Sequence, residues 1–201
     1  MNVTELKERD PKRFEKEYYK WAENALDYEW YDYVEETFIE DCGKLGVRVD
    51  KITFSGFWSQ GDGAAFTGHV RVHDWMEQKG YDVTHPAAYL ACRDDGSYVQ
   101  LETSRGNNMR SNLEERACQT DPSGIFEGLD QEAWEELVNE QLVYLNIEEE
   151  VLSFCEDLAA KLYCNLQDEY EHLTSEESFI EHCEAYEVTF EENEDAVYIS
   201  G

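Results

Sequence analysis

The residues with the most evident chemical potential lie between positions 54 and 68, FSGFWSQGDGAAFTG. Four aromatics and four glycines surround Gln60 and Asp62. A turn at SQGDG would display Trp58, Gln60 and Asp62 on a hairpin tip as a binding loop. Glycines that take positive φ in a tight turn, with aromatics packed in the sheet, explain the same residues without a ligand. GDG is not a phosphate loop, because the GK[ST] ending and a following helix are missing. His69 and His73, with Asp74 beside them, could approach a metal. On a strand, however, the two imidazoles share a face too far apart for easy chelation, and no third ligand stands at a standard spacing. His182 and Cys183 are adjacent on a helix and diverge. No GxSxG, HExxH or Cys–His signature occurs. Carboxylates are too numerous to single out a catalytic pair. The reading is a protein without catalytic residues, metal or cofactor.

Charge is the feature that any function must use or tolerate. The 201 residues include 47 Asp and Glu against 16 Lys and Arg, a net −31. An acidic chain poor in aromatics would be disordered, but this one has five Trp, thirteen Tyr and nine Phe and can build a core. Such a field repels nucleic acid and anionic membranes and draws basic partners. The charge is uneven. Residues 1–50 hold 14 acidic and 8 basic residues, residues 51–126 hold 10 and 7, and residues 127–201 hold 23 and one, Lys161. The last segment is therefore at −22. Duplex DNA carries about one charge per 1.7 Å, so 22 charges match roughly 37 Å of duplex, close to the roughly 30 Å of a twenty-residue helix. Solvated helix faces ordinarily mix both signs. Glu132, Glu135, Glu136 and Glu140 on one helix, and Glu149, Glu156 and Asp157 on the next, are therefore read as rows of phosphate-like charge for a partner. Arg105, Arg110 and Arg116 form a small basic patch, assigned to pairing with acidic helices.

The elements that must hold these residues follow from periodicity. Asp10-Pro11 starts a helix. Phe14, Tyr18, Trp21, Ala25 and Tyr28 continue it at helical spacing, and Tyr31, Val34, Phe38 and Cys42 form a second run that Gly43 and Gly46 stop. Val47–Phe54 and Ala65–Val72 read as hairpin strands joined by the SQGDG turn, Ser97–Glu102 as a further strand, and 104–112 as a polar loop or its edge. Residues 87–93 fit either strand or helix. Residues 130–145 and 148–171 carry apolar helical stripes. Ser175 caps a short helix, and 186–199 form a hairpin around ENED. The expected fold is α+β: a small antiparallel sheet packed against amphipathic helices from both ends of the chain. The expected division is 1–126, helix plus sheet, and 127–201, acidic helices plus hairpin, together one compact unit. The six cysteines form no CxxC pair, and most lie in apolar stripes, so all are expected as free thiols. MNVTELKERD lacks a signal peptide's apolar core and no stretch is long enough to span a bilayer, so a cytoplasmic location is expected.

One internal echo stands out. EETFIEDCGKLGVRV (35–49) aligns without gaps to EESFIEHCEAYEVTF (176–190), sharing Phe38/Phe179, Cys42/Cys183 and Val47/Val188 among others. A duplicated element and a coincidence between Glu-rich helices both account for it. FSGFWSQGDGAAFTG and the segment LYCNLQDEYEHLTSEESFIEHCEAYEVTFEENED (162–195) resemble an uncharacterised group of tailed-bacteriophage proteins, across about a quarter of the chain. That resemblance carries no catalytic residue. It implies a phage protein made inside a bacterial cell, and the acidity is similar to that of phage antirestriction proteins that imitate DNA. The expectation is an inhibitor of a basic host protein that binds nucleic acid or serves in defence, acting by DNA-like charge mimicry. A small enzyme or ligand-binding protein with its site at the Trp58–Asp62 hairpin, and an acidic structural or adaptor protein, remain the alternatives.

Overall fold

A computed structural model describes residues 1–26, 29–81, 98–102, 108–111, 133, 136, 146–191 and 196–197. The chain divides into two compact units: Met1–Val34 with Asn165–Gly201, and Glu35–Cys164.

In the first unit, α1 (Val3–Arg9) opens with Asn2, whose side chain accepts from the Glu5 N–H while Glu5 answers at the Asn2 N–H. This reciprocal cap satisfies two otherwise orphaned donors. The apolar periodicity that marks the other helices is too brief here to reveal α1, and only the N-x-x-E pattern signals it. α2 (Pro11–Ala22) starts as expected, with Asp10 accepting from the Arg13 N–H and Pro11 in the first turn. It stops at Ala22, so Ala25 lies beyond the helix, and Tyr28 is outside the described residues. In α6 (Glu176–Ala185), Ser175 is the cap, accepting from the Ser178 N–H. Val3, Leu6, Phe14, Phe179, Cys183, Val188 and Phe190 form one apolar cluster. Phe179 is its centre, with rings of Phe14 and Trp21 at 5.5 and 5.4 Å. The Tyr18 hydroxyl donates to the Thr174 carbonyl at 2.8 Å. Burial first, and the nearby Glu176 charge second, hold that phenol above its ordinary pKa. A two-stranded antiparallel pair, β5 (Thr189–Phe190) and β6 (Ala196–Val197), closes the unit.

The second unit is built on a four-stranded antiparallel sheet in the order β1 (Val47–Ser55), β2 (Gly63–Arg71), β3 (Tyr98–Glu102), β4 (Asn108–Ser111). α3 (Asp32–Lys44) leads into β1. The α+β class and the antiparallel sheet agree with the sequence reading, while three details differ. Residues 108–111 are not loop but β4, paired with β3, because backbone pairing needs no apolar alternation when a neighbour supplies the hydrogen bonds. Gly43 lies inside α3, and the helix is stopped by Gly46 at φ +73°. β2 ends at Arg71, and Val72 begins α4 (Val72–Lys79). Val72, Trp75 and Met76 are fully buried at helical spacing, which outweighs the strand alternation before them. His73 is therefore helical, and the expected shared strand face of His69 and His73 does not exist. α5 (Asn146–Leu173) buries Ile147, Val151, Cys155, Ala159, Leu162 and Leu166, a stripe at steps of three and four. It gives residues 146–164 to the second unit and 165–173 to the first. The apolar stripe expected at 130–145 and the segment 87–93 lie outside the described residues, apart from helical positions 133 and 136.

A β-bulge interrupts β1 between Val49 and Lys51. It frees Asp50 from the ladder, and its carboxylate lies 3.1 Å from Arg48 Nε and 3.0 Å from His69 Nδ1. Opposite the bulge, a β-carbon on Gly68 would lie 2.1 Å from the Arg48 carbonyl oxygen, so only glycine permits this approach.

The internal echo is also an echo in structure. Phe38 and Phe179, Cys42 and Cys183, and Val47 and Val188 are all buried. At the aligned turn, Gly46 (φ +73°) corresponds to Glu187 (φ +49°), and each donates its N–H back three residues, to Gly43 and to Glu184. Both segments are a helix, a left-handed residue and a strand.

Two consequences are measurable by urea unfolding. Glu187→Gly removes the strain of a left-handed side-chain-bearing residue and is expected to stabilise by about 0.5 kcal/mol or more. Gly68→Ala is expected to cost about 1–3 kcal/mol, while Gly43→Ala, with no atom within 4 Å of the added carbon, is neutral or stabilising by up to about 1 kcal/mol. A third concerns pH. Burial pushes the Cys42 and Cys155 thiols up to about 12 and Cys183 to about 11, from 9.0. Above pH 9 the unfolded chain loses these protons and the folded chain keeps them. Stability is thus complete below pH 9 and falls as pH rises toward 12. In native protein at pH 8, iodoacetamide should modify the exposed Cys164 well before the three buried thiols, read by peptide mass mapping.

Candidate functional site

The loop between β1 and β2 is held by its own side chains. Asp62 Oδ2 accepts from the Ser59 N–H at 2.6 Å, and the Asp62 N–H donates to the Ser59 carbonyl at 3.1 Å. Gly61 takes φ +96°. A β-carbon on Gly56 would sit 3.1 Å from Asp62 Oδ2, so glycine lets the carboxylate fold back. Asp62 is thus committed to the turn. Phe57 is buried, stacks on Phe54 and lies 5.6 Å from the ring of Tyr163 on α5. Burial, then the Asp62 charge, raises the Tyr163 pKa. Trp58, 66% exposed, meets Phe57 edge-on, and Gln60 is exposed. The three residues predicted as a loop site therefore share one tip but play different parts: Asp62 structural, Trp58 and Gln60 outward. Phe57, which the sequence reading left unassigned, anchors the tip.

The acidic positions follow the helices that carry them. Glu149, Glu156 and Asp157 are exposed on α5, opposite its buried stripe, and Glu136 is helical and exposed. Glu132, Glu135 and Glu140 lie outside the described residues. The sequence reading did not single out Asp168, Glu171, Glu176, Glu177, Glu181, Glu184, Glu187 and Glu191, all exposed and all in the first unit. From residue 162 onward the chain has no Lys or Arg at all. Among the described residues two cations reach this surface: Lys7 of α1 pairs with Glu176 at 2.8 Å, and Arg13 of α2 donates to the Glu191 carbonyl at 2.7 Å. By composition the units share the charge, with 21 acidic and 6 basic residues (net −15) in the first and 26 and 10 (net −16) in the second. Arg105 and Arg116 lie outside the described residues.

The histidines face local carboxylates: His69 meets Asp50, and His73 Nδ1 lies 3.6 Å from Asp74. Among the described residues no three His, Cys, Asp or Glu side chains are placed to hold a metal ion. No described helix is long and apolar enough to cross a membrane. A cavity of about 220 Å³ lies at the junction of α3 and β1, with Arg48 and Arg71 on its wall.

These features define an α+β protein with an antiparallel sheet, a self-locked aromatic hairpin tip and acidic helix faces. Residues 30–176 match the model of a family described as a domain of unknown function, DUF8835, and the chain belongs to that family. No curated protein and no solved structure matches it.

The two neighbouring aromatics should separate cleanly on mutation. Phe57→Ala is expected to cost about 3 kcal/mol in chemical denaturation, and Trp58→Ala under about 1 kcal/mol, because only the first ring is taken from water.

Proposed function

We propose that this chain is a phage-encoded acidic inhibitor that occupies the nucleic-acid-binding face of a basic host or defence protein by imitating the charge of DNA. The observation that carries the reading is the absence of Lys and Arg from the C-terminal stretch of the chain after Lys161. From position 162 to 191, exposed carboxylates recur on α5 and α6 without one Lys or Arg among them. Crowded like charge destabilises a fold, and a surface with so few cations against so many carboxylates is best explained by a partner of opposite sign. The resemblance to tailed-bacteriophage proteins supports the cellular setting. The hairpin reading is weaker, because its one carboxylate, Asp62, is engaged by Ser59.

A distributed field makes a distinct experimental forecast. Replacing Asp168, Glu177, Glu181 and Glu184 together by Gln or Asn should weaken partner binding at least tenfold, and each single change should do little, since an exposed charge pair is worth about 1 kcal/mol or less. Binding should fall steeply between 0.1 and 1 M salt, as the Debye length shrinks from about 10 to about 3 Å. Duplex DNA should compete for the same partner. A folded quadruple variant that binds as well as wild type, together with a Trp58→Ala variant that does not bind, would overturn the proposal.

A further inference from the structure

The cavity at the head of β1 lies apart from the acidic surface and has a different chemistry. Its lining includes Ile39 and Gly43, one turn apart on α3, and Val47, Arg48 and Val49 of β1, with Arg71 from β2. Consecutive strand residues point to opposite faces. A cavity that touches all three therefore lies along the backbone edge of β1, and β1 is the outermost strand of its sheet. The direction of the backbone groups follows from one hydrogen bond. The Arg71 N–H donates to the Gly46 carbonyl at 3.1 Å, so Gly46, and by alternation Arg48, turn toward β2. Val47 and Val49 then turn their N–H and C=O outward, into the cavity. Among the described residues nothing pairs with this edge, and the bulge after Val49 ends it, which leaves room for a short added strand only.

The structural echo in the first unit shows what such an edge accepts. Phe190 is the residue aligned with Val49. There the outer edge is occupied: the Phe190 N–H donates to the Met1 carbonyl at 2.9 Å, and the Met1 amino nitrogen donates to the Phe190 carbonyl at 2.8 Å. Met1 packs its side chain against the apolar cluster, and Asn2, next to it, is extended. Met1, paired with Phe190 through both of its backbone groups, thus covers the edge at the position equivalent to Val49.

Four of the aligned lining positions differ between the units, Gly43/Glu184, Gly46/Glu187, Arg48/Thr189 and Val49/Phe190, and the first and third bear on the occupant. Gly43 stands where the first unit has Glu184, and a β-carbon at Gly43 would meet nothing within 4 Å, so a side-chain-sized space is left. Arg48 stands where the first unit has Thr189. Arg48 uses Nε on Asp50 and Arg71 uses Nη2 on Asp74, so among the described residues other guanidinium N–H groups of both remain available at the cavity wall. Each guanidinium is charge-paired, so what the niche offers beside its apolar floor is directed N–H donors and not net positive charge. At about 220 Å³ it is smaller than the roughly 300–1,000 Å³ of drug-sized pockets, and it suits one side chain with the group attached to it.

We infer that the outer edge of β1 captures the C-terminus of a partner peptide, which adds as a short strand on Val47 and Val49, places an aliphatic last side chain against Ile39 and Gly43, and presents its terminal carboxylate to Arg48 and Arg71. Backbone pairing supplies affinity, and the pocket with its two arginines selects a terminal aliphatic residue bearing a free acid. This goes beyond charge mimicry, which neither requires nor predicts such a site.

The test uses the full-length, ¹⁵N-labelled chain and the peptide acetyl-Thr-Val-Thr-Val, as free acid and as C-terminal amide, with isovalerate as a third probe. The free acid should shift the amide resonances of Val47 and Val49 and slow their hydrogen exchange. The amide should bind about tenfold more weakly, and isovalerate should leave the exchange of both amides unchanged. Gly43→Leu, which fills the cavity, and the Arg48→Gln/Arg71→Gln double variant should each lower the affinity for the acid at least tenfold at unchanged thermal stability. The inference is overturned if millimolar free acid leaves Val47 and Val49 unmoved, if acid and amide bind equally, or if isovalerate reproduces the full effect. A folded Gly43→Leu variant that binds normally would also overturn it. Should either variant fail to fold, the acid–amide comparison on the wild-type chain decides alone.

Discussion

Self-repulsion among 47 carboxylates is the constraint to which the rest of the structure answers. Each fold element must bury enough apolar surface to hold like charges close together. α5 does so with an unbroken stripe from Ile147 to Leu166 and leaves Glu149, Glu156, Asp157, Asp168 and Glu171 exposed. In the first unit α6 does the same on a smaller scale, with Phe179 and Cys183 seated among Phe14, Val3 and Leu6. Local cations are placed sparingly: Lys7 on Glu176, Lys44 on Asp41, Arg71 on Asp74. The Asp41–Lys44 pair moves both groups further from neutrality, the carboxyl below its ordinary pKa and the ammonium above. Such exposed pairs contribute little each, and the fold rests on its apolar cores.

Within that frame one short device is used twice. A helix ends, a single residue takes a left-handed conformation, and a strand begins with a buried valine. Gly46 performs this turn at the head of β1 and Glu187 at the head of β5. In the second unit the space is also tight, since a β-carbon at Gly46 would sit 3.0 Å from Cβ of Asp74. In the first unit Met1 covers the strand edge. In the second unit the same edge borders a cavity with arginines on its wall. The same backbone thus supports two different surroundings, and the side chains at four aligned positions, Gly43/Glu184, Gly46/Glu187, Arg48/Thr189 and Val49/Phe190, distinguish them.

The hairpin tip shows how an unusual sequence can serve architecture before function. FSGFWSQGDG combines a buried anchor, Phe57, a close approach at Gly56, a left-handed Gly61 and a carboxylate that closes its own turn. Trp58 and Gln60 are exposed at its tip.

Most of the element plan was legible in the amino-acid sequence because it depends on local physics. Asp10-Pro11 and Ser175 marked helix starts through hydrogen bonds within three residues. The Val47–Phe54 alternation marked a strand, the glycines of SQGDG marked its turn, and the absence of cations after Lys161 marked a one-signed surface. What failed locally was decided by tertiary contact. Residues 108–111 are a strand because β3 offers them a partner. Val72 leaves the strand because Trp75 and Met76 must enter the core one helical turn later. Asp62 looked like a ligand-binding carboxylate, but Ser59 and Gly56 meet it only once the turn is closed. The cavity at β1 was invisible for the same reason. Its walls come from α3, β1 and β2, its open hydrogen-bonding groups belong to the backbone, and which edge of a strand is left unpaired is a property of sheet order, which residue types alone do not encode.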